Sequence, residues 1–287
     1  MSNSIGVDLG SGSGALGVLA FRGPDAARFL QGQLSADVEN LPSGASRWAG
    51  LHNPQGRAVA LLMLARLSPE DIFAVLPREL MHDVGALLQK FVFRAKVRIE
   101  PPALHVIGAA AGADPHGAYA FAWGNRQLLL APAGRDLARS ADTAGWDLED
   151  VRQGLPQVYA ATREQFVAQM LNLDLLGAVS FDKGCYTGQE VIARAHYRGR
   201  VKRRLQRWLN TSGTPLEPGH TARAPDGRGL AVVRSAPVEA GAGGSIQEIL
   251  AVGAFGPAGE VETAARPDDA AGVTVSGPLP LPYSLPE

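Results

Sequence analysis

The chain has 287 residues, 46% hydrophobic and 19% charged, with 27 Lys and Arg against 28 Asp and Glu. That length suits two or three packed modules rather than one minimal core, and the charge balance means that any anion must be met by a local patch. One cysteine excludes an internal disulfide, no apolar run approaches the roughly 18 residues of a membrane span, and the start lacks the basic-then-apolar pattern of a secretory leader, so a cytoplasmic location is expected.

In chain order, a Gly/Ser arm precedes "ALGVLAF", which reads as a strand. Pro24 suits the first turn of a helix that carries Phe29, Leu30 and Leu34 on one side. "HNPQGR" is a turn leading into the long strand "AVALLMLARL", and "ELMHDVGALLQKFVF" has the spacing of an amphipathic helix. "AKVRIE", "LHVIGAA", "YAFAW" and "QLLLA" predict strands, and "WDLEDVRQGLP" predicts a helical patch. From Val201 the pattern changes to short strands, "VKRRLQRWL", "GLAVVRSA" and "ILAVGAF", separated by turns such as "VEAGAGG", which predicts a small C-terminal barrel or sandwich.

Two glycine-rich turns invite functional readings. Gly12, Gly14 and Gly17 satisfy G-x-G-x-x-G, but β-prone "VLAF" follows where a dinucleotide site needs a helix, so a loose arm is the better reading. In "HNPQGR", Asn53, Pro54 and Gly56 are what a tight turn selects; alternatively, His52, Asn53, Gln55 and Arg57 face a ligand cleft.

The lone cysteine raises the sharper question. Cys185 lies in "KGCYTGQE", between Gly184 and the T-x-x-E pattern of Thr187 and Glu190, which predicts a capping box with Thr187 as N-cap. A helix N-terminus and Lys183 would both favour thiolate over thiol, against the alternative of an incidental small residue in a turn. Asn172 and Asp174 stand just upstream, where they cap or turn the chain. Downstream, Arg194, Arg198, Arg200, Lys202, Arg203, Arg204 and Arg207 form either a solvated face or an anion site.

The run "KGCYTGQEVIARAHYRGRVKRRL", together with "FLQGQLSADV", "NPQGR", "VRQGLPQV" and "FVAQMLNLD", resembles the YgfZ family of folate-binding proteins, relatives of the glycine-cleavage aminomethyltransferase, or T-protein. The chain departs from that pattern at His52, where the family often has Cys, and at Ala168, where it has Pro. The resemblance implies an α+β fold: mixed α/β, partly ferredoxin-like modules around a central folate-binding opening, plus a small C-terminal β-barrel. Residues 1–200 would form the aminomethyltransferase-like region, with 101–145 part of a second interwoven module, and 201–287 the barrel-like domain.

It further implies tetrahydrofolate-dependent assembly or repair of iron–sulfur clusters, indirectly supporting tRNA thiolation, with iron–sulfur client or assembly proteins as partners. It assigns no catalytic activity of the chain's own. The working pair would be Cys185, as a transient iron or cluster ligand or reactive thiolate, and Lys183, which holds it ionised; no permanent metal is expected. Gly184, Tyr186, Thr187, Gly188, Gln189 and Glu190 support the motif. Folate contacts would come from Arg152 and Gln153, where the T-protein's acid is missing, from Arg194, Tyr197, Arg198 and Arg203 for the glutamate tail, and from Asn53. A one-carbon transferase and an RNA-binding module are the alternatives. Direct nucleic-acid binding is disfavoured, because only Tyr197 and Trp208 lie near the basic run.

Overall fold

The computed structural model describes residues 6–12, 14–115, 117–134, 139–199, 201–238, 246–255 and 272–286; Arg200 and the "VEAGAGG" turn beyond Val238 lie outside them. The elements are β1 (Gly6–Asp8), β2 (Leu16–Arg22), α1 (Ala26–Gln33), β3 (Ser46–His52), β4 (Ala58–Ser68), β5 (Asp71–Pro77), α2 (Arg78–Gln89) and β6 (Arg98–Glu100). They continue with β7 (Leu104–Ala110), β8 (Tyr119–Trp123), β9 (Arg126–Pro132), β10 (Arg139–Ser140), α3 (Ala144–Arg152) and α4 (Gln189–Tyr197). The last strands are β11 (Arg203–Asn210), β12 (Thr221–Arg223), β13 (Gly229–Val238), β14 (Ile246–Ala254) and β15 (Ser276–Leu279).

Three five-stranded sheets result. The first, in the order β3-β4-β5-β2-β6, is antiparallel, and its longest strand is β4, whose residues Ala58–Ala65 are all buried. A continuous apolar run instead of alternation marks a strand covered on both faces. Helix α2 packs over β2, β4 and β5 through Leu80, Val84 and Leu88, the i, i+4, i+8 stripe that its spacing predicts. The second sheet, β10-β1-β7-β9-β8, takes β1 from the N-terminal segment, so the chain starts in one sheet and crosses to another at Leu9–Leu16. In the third, β12-β13-β14-β11-β15, the strands curl, and Arg223 of the edge strand β12 is bridged to the segment just before β15: Arg223 N–H donates to the Val273 carbonyl and Val275 N–H to the Arg223 carbonyl, each at 2.9 Å. Trp208, Leu230, Val232 and Ile249 fill its interior.

The sheets are tied together by α3 and by residues 155–188. Helix α3 contacts β13 and β14, and the Phe166 carbonyl accepts the Ala58 amide at the start of β4. Further on, Ser180 N–H donates to the Ser35 carbonyl, which brings the cysteine motif onto the end of α1. Among the described residues, no helix is long and apolar enough to cross a membrane.

Candidate functional site

Gly188 sets the geometry of the motif loop. Its φ of +83° is left-handed, and a Cβ there would lie 2.5 Å from the Asn53 carbonyl oxygen and 3.0 Å from Gly56 Cα. Glycine alone tolerates both conditions. Its seat is the Asn53–Gly56 turn, in which Asn53 Oδ1 accepts the amides of Gln55 and Arg57 at 3.1 and 3.0 Å. Asn53 is therefore a turn former, and Arg57 is drawn to the Gln165 carbonyl at 2.6 Å. Helix α4 starts at Gln189 with Gly188 as N-cap and no side-chain cap. The expected box of Thr187 and Glu190 does not form, because the turn fixes Gly188 at the helix entrance.

Lys183 has a different task from the one expected. Its ammonium donates to the carbonyls of Gln31, Leu34 and Ala36 at 2.7, 2.6 and 2.7 Å. These groups lie at and just beyond the end of α1, so the lysine caps that helix from far along the chain. All three N–H donors are engaged, and none is left to hold the sulfur of Cys185. Burial draws the Lys183 pKa down to about 8, with Asp37 and Glu39 opposing. Cys185 is exposed and unbonded. Tyr186 is buried, its ring 5.2 Å from the lysine and 6.4 Å from the His52 ring; burial pushes its phenol up to about 12. His52 is 2% exposed with both ring nitrogens unpartnered, and burial lowers it to about 4 against the weaker effect of the Gly50 backbone.

A second constellation had no counterpart in the sequence reading. Helix α3 presents Asp147 and Asp150, one turn apart, to Arg234 of β13. The guanidinium lies 3.1 Å from Asp147 Oδ1 and 2.6 Å from Asp150 Oδ2, the latter an ion-pair contact outside hydrogen-bond geometry. Asp150 is fully buried and also accepts from Trp123 Nε1 at 2.8 Å and from Arg126. Arg126 stacks 3.8 Å above the Trp146 ring. Burial works against the charge on Arg234, but Asp150, Tyr159 and Asp147 outweigh it and hold the group above its ordinary value. Burial likewise raises the Tyr159 phenol.

This cluster lines a narrow crevice at the junction of the three sheets. Trp123 comes from the second sheet, Arg234 from the third, and Ser11, Gly14 and Ala15 from the loop into the first; Trp146, Asp147 and Tyr159 complete the polar and aromatic wall. A separate pocket of about 390 Å³ adjoins the C-terminal end of α4 and shares no lining residue with the crevice. Gln169, Leu175, His196, Gly199, Arg204 and Phe255 form much of its wall.

Comparison with known proteins fixes the family. A tRNA-modifying protein YgfZ from Edwardsiella ictaluri is 32% identical over 229 residues, covering 68% of each chain. The chain belongs to the YgfZ family. A YgfZ from Vibrio vulnificus is 31% identical over 224 residues, again over 68% of each chain, and an uncharacterised Haemophilus influenzae protein is 32% identical over 192 residues, 66% of this chain and 69% of that one. No family model matches. The solved aminomethyltransferase T of the glycine cleavage system from Bartonella henselae is similar in fold, with a TM-score of 0.63 at 15% identity over 85% of this chain and 77% of that one.

In this YgfZ-family chain the expected folate contacts do not converge. Arg152 forks onto Glu248 Oε1 at 3.0 and 2.9 Å, and Gln153 donates to Glu149 at 2.9 Å, so neither lines the crevice. Arg194, Tyr197 and Arg198 stand exposed at the end of α4, and Arg203 half-buried at the start of β11, beside the second pocket instead. The basic run is also smaller than it reads. Arg204 is buried in a bidentate pair with Asp174 at 2.8 and 2.9 Å, and Arg207 meets Glu248 at 3.5 Å. Asn172 reaches the Leu205 carbonyl at 3.0 Å, so it and Asp174 fasten the motif loop to the third sheet. Among the described residues, no group of three His, Cys, Asp or Glu side chains is placed to hold a metal ion.

Proposed function

We propose that the chain binds a reduced folate, tetrahydrofolate, in the three-sheet crevice and through it supports tRNA modification. The observation that carries the reading is the cluster of buried Trp123, Trp146 and Arg234 with half-buried Asp147 and Tyr159, contributed by separate parts of the chain to one slot. A flat pterin needs aromatic walls and a few fixed polar groups. Asp147 supplies an acceptor, Arg234 a donor, and Trp146 Nε1 a buried N–H with no partner. The free space is about 20 Å³, room for about one water, so Ser11, Gly14 and Ala15 have to move outward to admit a pterin. When bound, the folate would supply one-carbon or redox chemistry; the protein's residues orient it and exclude water. The names of the relatives and the aminomethyltransferase-like fold support the same role, and a cytoplasmic location accords with it.

Maintenance of iron–sulfur clusters is the finer reading, and it rests on Cys185. The thiol is exposed in the motif loop, where it can reach an iron or sulfide carried by a client protein. One sulfur gives one bond to iron, so the other ligands belong to the client. We read the curled third sheet as a small barrel, supported by the bridge from Arg223 of β12 to the segment before β15, and the first sheet with α1 and α2 as the ferredoxin-like module.

The test is calorimetric titration of tetrahydrofolate into the wild type, Asp147→Asn and Trp146→Phe. Both substitutions should weaken binding about tenfold or more, the loss of one or two charge-assisted or buried hydrogen bonds, without lowering the melting temperature by more than a few degrees. Unchanged affinity in both, or no binding by the wild type, would reject the crevice. Separately, Cys185→Ser should keep folate affinity yet fail to restore tRNA thiolation in a bacterium lacking its own YgfZ; full restoration would remove the thiol from the mechanism.

A further inference from the structure

The second pocket, and the aromatic surface that continues from its wall residue His196, gather features that folate binding leaves unused. Phe181, from the motif loop, stacks on His196 with ring centroids 3.8 Å apart and planes 15° from parallel. Tyr197 meets both rings edge-on, at 5.9 and 4.8 Å, and is itself 66% exposed. Around these rings Arg194, Arg198 and Lys202 are exposed and have no acidic partner among the described residues. The wall also holds hydrogen-bond capacity in reserve: Gln169 and Arg204 are 1% and 3% exposed, yet Gln169 Oε1 and Arg204 Nε have no partner. Asp174, the acid at the pocket, is taken up by Arg204 and leaves the rim positive.

In sequence the basic run lacks the interleaved aromatics that mark single-strand binding. The fold supplies them. Phe181 is brought across the motif onto the last turn of α4 and, with His196 and Tyr197, makes a three-ring platform beside the cations. A stacking platform, a pocket of nucleoside size and free cations at its rim match an unpaired nucleotide within a strand. A duplex keeps its bases stacked inside and offers nothing for the rings to grip.

We propose that this pocket and its rim bind single-stranded RNA, with one base held in the pocket beside the His196 ring, a neighbouring base on the exposed Tyr197 ring, and the flanking phosphates on Arg194, Arg198 and Lys202. The proposal rests on the reading that the chain serves tRNA modification, and it places the RNA at a site that shares no residue with the folate crevice.

The experiment is fluorescence anisotropy with a labelled, unstructured oligoribonucleotide of about a dozen nucleotides, within the site size of single-strand binders. Competition with the same strand in duplex form and with AMP is measured in parallel, at several salt concentrations. The single strand should bind with a log–log salt slope near −2, as expected for about three phosphate contacts. Duplex and AMP should compete at least tenfold less well. Tyr197→Ala and His196→Ala should each weaken binding about tenfold through lost stacking, and Arg198→Ala should flatten the slope by about 0.7. Tetrahydrofolate affinity, measured on the same exposed-residue variants, should stay at the wild-type value and confirms that they fold. Wild-type RNA affinity in both aromatic variants, equal binding of duplex, competition by AMP as strong as by the strand, or no RNA binding by protein that binds tetrahydrofolate would each overturn the proposal. Loss of folate binding in the wild type would instead sink the crevice reading, whatever the RNA result.

Discussion

A single methyl group at position 188 would press on the Asn53 carbonyl at 2.5 Å and force a non-glycine residue to hold φ at +83°. Gly188→Ala should therefore cost about 2–3 kcal/mol in urea denaturation, the range for strained left-handed backbone with a clash. Gly184→Ala, four residues earlier, has nothing within 4 Å of the added carbon and should change stability by less than about 0.5 kcal/mol. An equal cost for the two would refute the seat described for α4. His52 makes a pH prediction with a definite sign. Its folded pKa of about 4 lies below the unfolded value of 6.5, so the unfolded chain binds the extra proton first as pH falls. The stability that the neutral imidazole brings is complete above 6.5 and is lost progressively down to 4. Between pH 7 and pH 5 the loss is about 2 kcal/mol. His52→Phe should remove that part of the pH dependence, and a variant as acid-sensitive as the wild type would show that the histidine is not its source.

Between elements, the Arg204–Asp174 pair is the rivet that joins the motif loop to β11. Both side chains are less than a tenth exposed, and the guanidinium also reaches the Gln169 carbonyl at 3.1 Å. Asp174→Asn leaves a buried cation unpaired and should cost about 3–5 kcal/mol. Combining Arg204→Met with Asp174→Leu should recover most of that loss, because two apolar groups need no partner. Failure of the double variant to recover would mean that the charges also fix the loop's position.

The elements differ in how much the sequence discloses. The α1 and α2 stripes, β4 and the turn before it follow from local spacing. β3 and β5, "SRWAGLH" and "DIFAVLP", are not legible, because short apolar runs do not distinguish strand from buried helix. The T-x-x-E signal misplaced the cap by one residue, since the constraint on Gly188 comes from a turn 132 positions away, 188 against 56. In sequence nothing sets Asp147 and Asp150 apart from the surface acids of any helical patch. Only β13 and β9, distant in sequence, supply Arg234 and Arg126 to pair with them. The cysteine motif could be read, whereas the crevice could not, because its letters are scattered over the segment before β2, β8, α3 and β13.

For the whole molecule, three sheets meet at a site none of them forms alone. A ligand held there must stabilise all three together. At a tetrahydrofolate concentration one hundred times its dissociation constant the gain should be about 2.7 kcal/mol, seen as one cooperative transition shifted upward rather than one sheet protected alone. Hydrogen exchange read by mass spectrometry, with and without tetrahydrofolate, tests this most directly. Binding in the crevice predicts simultaneous slowing in the Leu9–Leu16 loop, at Tyr119–Trp123, along Ala144–Arg152 and around Arg234, with Cys185 and the exposed end of α4 unchanged. Protection confined to Arg194–Lys202, with the crevice segments exchanging as before, would contradict the account and move the folate to the pocket beside α4.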